Sequence, residues 1–151
     1  MICGHTTKNK VFTKAMEILR KAAQVILGIA LVFAGVGHLT SNRTEFQAQV
    51  PSLLQSHADL VVLASGVVEI ALGVGLIALW RFRTTIGWLV AAYFIAVFWG
   101  NISQYLTGVD AFGLDSDRAR AIRLLFQPLL VAWALWSTGA WRSYHSRAKR
   151  V

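Results

Sequence analysis

The chain has 151 residues, of which 56% are hydrophobic and 15% charged, and its mean hydropathy is +0.54. This composition is too apolar for an ordinary soluble domain and indicates a small membrane protein with several spans. The net charge of +8 would suit a nucleic-acid partner, but the basic residues lie beside the apolar runs and not in one patch. We therefore expect no nucleic-acid partner and attribute the charge to membrane topology.

The order of segments along the chain predicts an all-α, four-helix transmembrane bundle. Residues 1–15 form a basic arm that we expect to be flexible and poorly ordered, and Met16 is an alternative start. The membrane domain is predicted over 16–141, and a basic tail follows over 142–151. Four apolar runs have about the 20 residues that a helix needs to cross a bilayer; they cover about 22–39, 60–80, 85–106 and 120–141. Between the first two, apolar residues around Pro51 predict a short amphipathic segment in the first outer loop.

Basic residues are distributed unevenly between the two sides of this arrangement. Most Lys and Arg residues lie in the N-terminal arm, at positions 81 and 83, and in the tail. The positive-inside rule then predicts that both termini are cytoplasmic and that the loops 40–58 and 107–118 are outside. Cys3 is the only cysteine, so the chain alone forms neither a disulfide nor a dithiol redox centre.

Glu69 is the most unusual residue of the second span, because it places a carboxyl group near the middle of an apolar run. An ionisable group at that depth costs about 2.5–3.5 kcal/mol when it faces lipid, so it should face protein or a wet cavity. Gly66 and Gly73 share its helix face and allow another helix to approach closely. Glu69 is therefore predicted to point into the bundle.

The first span carries a comparable stripe, formed by Gly28, Gly35 and His38. His38 lies at the outer end of the span. Two interpretations remain open: an interfacial histidine bonded to a nearby loop, or a group that handles protons or contacts a ligand.

The third and fourth spans add polar residues at similar depth. Asn101 and Gln104 lie three positions apart on one helix face, and Arg123 and Gln127 lie four apart. Arg123 lies inside an apolar run and should have an acidic partner; Glu69 is the only acid within a span, so a Glu69–Arg123 pair is predicted.

Other residues of the fourth span have simpler interpretations. Arg118 and Arg120 can reach the headgroups by snorkelling, and Trp133 is interpreted as an anchor at the inner boundary. Pro128 is expected to bend the helix and to open space beneath Arg123.

Polar residues from all four spans thus predict a ligand-binding cavity in the middle or outer half of the membrane: His38, Glu69, Asn101, Gln104, Arg123 and Gln127. The competing hypothesis is a polar core that only fixes helix packing. No motif for a metal, haem, flavin or catalytic nucleophile is present, so we expect no metal and assign no catalytic residue.

Several motifs in chain order resemble the DoxX-like membrane proteins. They are the sequence GVGH at 35–38, Phe46 with VP at 50–51, SGVVE at 65–69 with LGVGL at 72–76, Asn101, and RLLFQP at 123–128 with Trp133. The resemblance covers about residues 16–141. The arm 1–15 and the loop 107–118 depart from the family pattern, and that loop is a candidate partner-binding addition.

The resemblance implies a multi-pass protein of the bacterial cytoplasmic membrane, in which His38 and Glu69 line a cavity beside Asn101, Arg123 and Gln127. It implies a quinone- or lipid-binding component of a membrane oxidoreductase system, and bundles of the sterol-isomerase and sigma-2-receptor group are also similar. An accessory subunit with a membrane-protein partner, or a homo-oligomer, is expected before an independent catalyst. The alternative is a non-catalytic scaffold that binds a partner protein.

Overall fold

The computed structural model describes residues 3–47, 49–111, 113 and 116–143, with side chains from residue 10 onward. The described chain is helical and contains no strand. Its α-helices are α1 (Cys3–Leu39), α2 (Arg43–Gln47), α3 (Ala58–Ala78), α4 (Arg83–Thr107) and α5 (Asp117–Thr138). Helices α1, α3, α4 and α5 are long and apolar enough to cross a membrane. The prediction of an all-α four-helix transmembrane bundle is confirmed, and the chain is a multi-pass membrane protein.

The bundle has two ends that differ in their connections. The described residues of 40–57 and 108–116 lie at one end, called here the loop end. The short 3-10 turn Trp80–Phe82 lies at the other, called the terminal end. The tail residues from 144 onward lie outside the described residues.

The N-terminal arm differs from the prediction. Helix α1 does not begin near residue 22 but continues back to Cys3, so most of the arm 1–15 is helical. Between Gly4 and Gly28 the sequence contains neither glycine nor proline. Once the membrane-spanning turns have formed, each added residue extends the helix at little cost, because nucleation is the unfavourable step.

The amphipathic segment of the first loop forms as two short pieces. Helix α2 ends at Gln47, and a 3-10 turn, Ser52–His57, begins directly after Pro51. Arg43 donates to the Asp59 carboxylate, which ties this segment to the start of α3. The loop therefore lies over the loop end of the bundle, where Val50 packs with Ala58 and Val62.

Helices α1 and α3 pack closely along a seam of glycines. An added Cβ at Gly28 would lie 2.8 Å from the Gly73 carbonyl oxygen, and one at Gly35 would lie 2.6 Å from that of Gly66. Only residues without a side chain allow the two backbones to approach this closely. The seam fixes α1 and α3 as an antiparallel pair in one register.

Helices α4 and α5 form the second pair. Gly87 of α4 lies directly against the Thr138 side chain of α5, and a Cβ at Gly87 would collide with it. The two pairs pack against each other chiefly in the half of the bundle nearer the terminal end, through a cluster of buried apolar side chains: Leu27, Leu31, Leu76, Ile86, Val90, Phe94 and Ala134. Towards the loop end the pairs separate and a cavity opens between them.

Candidate functional site

The cavity has a volume of about 550 Å³ and is lined by residues of all four long helices and of the first loop. This volume falls within the range of small-molecule sites in proteins, about 300–1,000 Å³. Most of the wall is apolar, with Leu27, Leu31, Val62 and Leu130 among its members. Five of the six predicted site residues line it: His38, Glu69, Asn101, Arg123 and Gln127.

His38 and Glu69 meet across the α1–α3 seam. His38 Nδ1 lies 2.9 Å from Glu69 Oε2 and 3.0 Å from the Ala34 carbonyl oxygen. Since a carbonyl oxygen can only accept, Nδ1 carries a proton and donates it to Ala34. Glu69 Oε2 receives no well-aligned hydrogen bond, so its contact with the imidazole is electrostatic. Both side chains are less than 10% exposed.

A residue of the first loop also holds the His38 imidazole in place. The Phe46 ring stacks on that of His38 with 3.4 Å between ring centroids and 21° between planes. The His38 ring is therefore fixed by a backbone carbonyl, a carboxylate and an aromatic face. A histidine held this rigidly can orient a proton or a hydrogen bond towards a bound molecule.

The predicted ion pair between Glu69 and Arg123 is wrong. Glu69 pairs with His38, whereas Arg123 Nη1 donates to Gln104 Oε1 at 3.4 Å. The physical reason is helix pairing: Glu69 lies on the α3 face that packs on α1, and Arg123 belongs to the α4–α5 pair. Gln104 itself does not line the cavity; it is buried behind Arg123 and donates to the Val109 carbonyl oxygen.

Asn101 and Gln127 form a short relay that joins α4 to α5. Gln127 Nε2 donates to the Phe94 carbonyl oxygen at 2.7 Å, and Asn101 Nδ2 donates to Gln127 Oε1 at 3.1 Å. Because the Phe94 carbonyl only accepts, it fixes the orientation of both amides. Asn101 Oδ1 is left buried and without a hydrogen-bond partner among the described residues.

Further polar groups line the cavity that the sequence did not single out as site residues. The Tyr93 hydroxyl is within electrostatic reach of Glu69 and Ser65 but makes no well-formed hydrogen bond to a described residue. Gln49, from the first loop, is buried and its Nε2 is also without such a partner. The position of Gln49 depends on the fold of a loop, which no helical periodicity reveals. Tyr93 lies two turns before Asn101 on α4, a spacing that could have suggested it.

The positions of Trp133 and Arg120 differ from those predicted from the sequence. Trp133 is not a boundary anchor, because it lines the cavity and its Nε1 donates to the Ala23 carbonyl oxygen of α1 at 3.1 Å. The Arg120 side chain does not snorkel: it is 8% exposed and binds Asp110 and Asp117, at 2.7 and 2.8 Å. These contacts hold the segment around Asp110 against the start of α5.

The donor set of the cavity suits hydrogen bonding and proton exchange with a small molecule. In the part of the chain that the structure describes, no three His, Cys, Asp or Glu side chains are grouped closely enough to hold a metal ion. The available chemistry consists of one carboxyl, one imidazole, one guanidinium, one phenol, one serine hydroxyl, two indoles and several amides in an apolar enclosure.

Comparison with known proteins places the chain in one family without naming an activity. No curated protein and no solved structure matches it. One family model, described as a domain of unknown function (DUF8561), matches residues 27–138. The match contains the seam, the cavity and every predicted site residue, and the chain belongs to the DUF8561 family.

Proposed function

We propose that this bundle binds a quinone, or a lipid of similar form, in the cavity between its two helix pairs. In this proposal the chain is a ligand-binding component of a membrane oxidoreductase system and not an independent catalyst. The observation that carries the proposal is an apolar hollow whose polar groups come from every long helix. A molecule with an apolar body and a polar ring or head matches that distribution.

The buried charges support a ligand site more than a packing role. Helix packing in membranes is commonly achieved by small residues and amide bonds, and polar contacts contribute only about 0.6 kcal/mol on average. A carboxyl and a guanidinium that line one hollow without pairing with each other add a desolvation cost that packing does not require. Glu69 and His38 would bind or exchange protons with the ligand head.

The sequence resemblance to DoxX-like proteins belongs to the same proposal. The resemblance implies that His38 and Glu69 line a cavity, and in this structure their side chains are in contact. From this resemblance we also propose that the protein lies in a bacterial cytoplasmic membrane. We propose that both termini are in the cytoplasm, and the distribution of Lys and Arg supports this orientation.

A scaffold function is the second candidate, and one observation favours it. Asn101 and Gln127 bond each other and a backbone carbonyl, so part of the polar set already joins α4 to α5. In that case the partner would be another membrane protein or a second copy of the chain, and the hollow would hold only bulk lipid.

The test is to purify the protein, extract bound small molecules into organic solvent and identify them by mass spectrometry. Glu69→Gln keeps the shape of the side chain and an acceptor for His38 but removes the charge. We expect it to reduce the amount of retained ligand at least tenfold while the melting temperature stays within a few degrees. Glu17→Gln, the same change on the exposed outer surface of α1, should retain the wild-type amount.

Two results would contradict the proposal. If the wild-type protein carries neither a quinone nor a single lipid class above the level found in empty micelles, the proposal of a bound ligand is wrong. If Glu69→Gln loses stability and bound ligand to the same degree, Glu69 has a packing role, and the scaffold function is favoured.

A further inference from the structure

The hydrogen-bonding character of the cavity can be specified atom by atom at Asn101. The relay through Gln127 to the Phe94 carbonyl turns the Asn101 amide nitrogen towards Gln127. Asn101 Oδ1 is therefore an acceptor, and it is buried without a donor among the described residues. A buried acceptor in this state is costly unless a donor is supplied.

Glu69 provides a second acceptor of fixed character. The Ala34 carbonyl requires a proton on His38 Nδ1, and Glu69 Oε2 faces that proton at 2.9 Å. Towards His38, Glu69 Oε2 can therefore only accept. It also lacks a well-aligned hydrogen bond, so it can take one from a bound molecule.

Groups that can donate line the same cavity. The Gln49 amide nitrogen can only donate and is without a hydrogen-bond partner among the described residues, whereas the Tyr93 hydroxyl can donate or accept and lies within electrostatic reach of Glu69. A carbonyl group on the ligand could accept from these two but would leave the Asn101 acceptor unmatched. A hydroxyl group donates and accepts, so it can satisfy both kinds of atom.

We propose that the cavity recognises its ligand through O–H groups, and that it therefore binds the dihydroxy form of a quinone, the quinol, in preference to the dicarbonyl form. This inference rests on the proposed function, because it concerns the same cavity. It specifies the reduced form as the bound species and involves no redox step. Sites built to hydrogen-bond a hydroxyl reject analogues that lack it, because their buried polar atoms are then left unpaired.

The test compares duroquinol with duroquinone by anaerobic equilibrium dialysis against the purified protein, with empty micelles as the blank. We expect duroquinol to bind about tenfold or more tightly than duroquinone. Durenol, which has the same ring with a single hydroxyl, separates two sources of the O–H group. Weaker binding of durenol supports a quinol, and equal binding supports the same O–H recognition by a lipid alcohol.

The variant Asn101→Leu removes the acceptor Asn101 Oδ1, whose orientation is fixed by the hydrogen bonds through Gln127 to the Phe94 carbonyl. It should reduce the affinity for duroquinol and leave the affinity for duroquinone unchanged. The preference for duroquinol over duroquinone should therefore fall. Thr107→Val is the matched control, because Thr107 lies on the same helix, outside the cavity, and its hydroxyl bonds only backbone oxygens of that helix. It should keep the wild-type preference.

The outcomes separate this inference from the proposed function. Equal binding of duroquinol and duroquinone, or tighter binding of duroquinone, would overturn the inference while leaving a quinone-binding cavity in place. Binding of neither compound would overturn both. Because the wild-type comparison requires no variant, the test stands even where Asn101→Leu does not fold.

Discussion

Buried polar side chains of this protein repeatedly bind backbone carbonyl oxygens of a neighbouring helix. Gln24 binds the carbonyl of Leu76, Gln127 that of Phe94, and Trp133 that of Ala23. Within hydrocarbon no water is present to satisfy a buried side-chain donor, so each such bond satisfies one and joins two helices.

Gln24 offers the sharpest test of this rule. Its side chain is fully buried, and Nε2 lies 2.7 Å from the carbonyl oxygen of Leu76 in the last turn of α3. The last four carbonyls of a helix have no partner within the helix. We predict that Gln24→Leu lowers the free energy of unfolding by about 1–3 kcal/mol, because the carbonyl is left buried and unpaired. Unfolding in mixed micelles measures this value.

Gln55→Leu is the control for that substitution, since Gln55 is exposed in the 3-10 turn of the first loop. It should change stability by less than about 0.5 kcal/mol. Similar losses in both variants would show that Gln24 does not cap α3.

At the scale of helices, the α1–α3 seam determines which residues meet in the site. Gly28 faces Gly73 and Gly35 faces Gly66. In this antiparallel register His38 lies one turn to one side of the Gly35–Gly66 contact and Glu69 one turn to the other, and their side chains meet across it. The pairing that defines the polar end of the cavity is therefore a consequence of four glycines.

Gly35→Ala tests the seam directly. The added Cβ would lie 2.6 Å from the Gly66 carbonyl oxygen, so the helices must move apart, and we predict a loss of about 1–3 kcal/mol in stability. Gly37→Ala in the same helix is the matched control, because its nearest neighbour would be 3.5 Å away. It should be neutral or stabilising by up to about 1 kcal/mol, since alanine favours the helix. Equal effects in thermal unfolding would mean that the seam is not closely packed.

The sequence predicted the helices better than their partners. Run lengths near 20 apolar residues were enough for four spans, because the bilayer sets that length. The pairing of Glu69 was missed because it depends on which helices are neighbours. A usable signal existed: glycines seven residues apart occur in both the first and the second span, and matching them in antiparallel order places His38 and Glu69 one turn on either side of the Gly35–Gly66 contact.

Residues held by loops were less predictable for a different reason. Gln49 enters the cavity wall from a segment without helical periodicity, and Arg120 is buried because the connection between α4 and α5 places Asp110 beside it. Such contacts depend on the path of a connection, which neither hydrophobic pattern nor spacing defines.

At the scale of the whole molecule, the cavity is the space left where two closely packed helix pairs separate. A larger side chain on its wall should fill empty space, whereas the same change inside a pair should collide with packed neighbours. Ala34 lines the cavity, and Ala91 is buried in a packed cluster with Leu135 and Ala140.

We predict that Ala34→Leu reduces retention of the ligand at least tenfold and leaves the melting temperature unchanged or higher. Ala91→Leu should instead cost about 1–3 kcal/mol of stability through overpacking. Extraction with mass spectrometry and thermal unfolding measure the two effects. A large loss of stability in Ala34→Leu would indicate that the hollow is not free space for a ligand.

The four spans place the loop end and the terminal end on opposite sides of the membrane, and the positive-inside rule predicts that the terminal end is cytoplasmic. In a Cys3→Ser background, which removes the only native thiol, single cysteines can report each end. We predict that a membrane-impermeant maleimide labels Ser56→Cys and Asp110→Cys in intact cells, but labels Lys10→Cys and Arg142→Cys only after permeabilisation. All four positions are exposed, so unequal labelling reflects sidedness. Labelling of Lys10→Cys and Asp110→Cys from one side would contradict the span number, whereas a complete reversal would leave the bundle intact and refute the cytoplasmic termini.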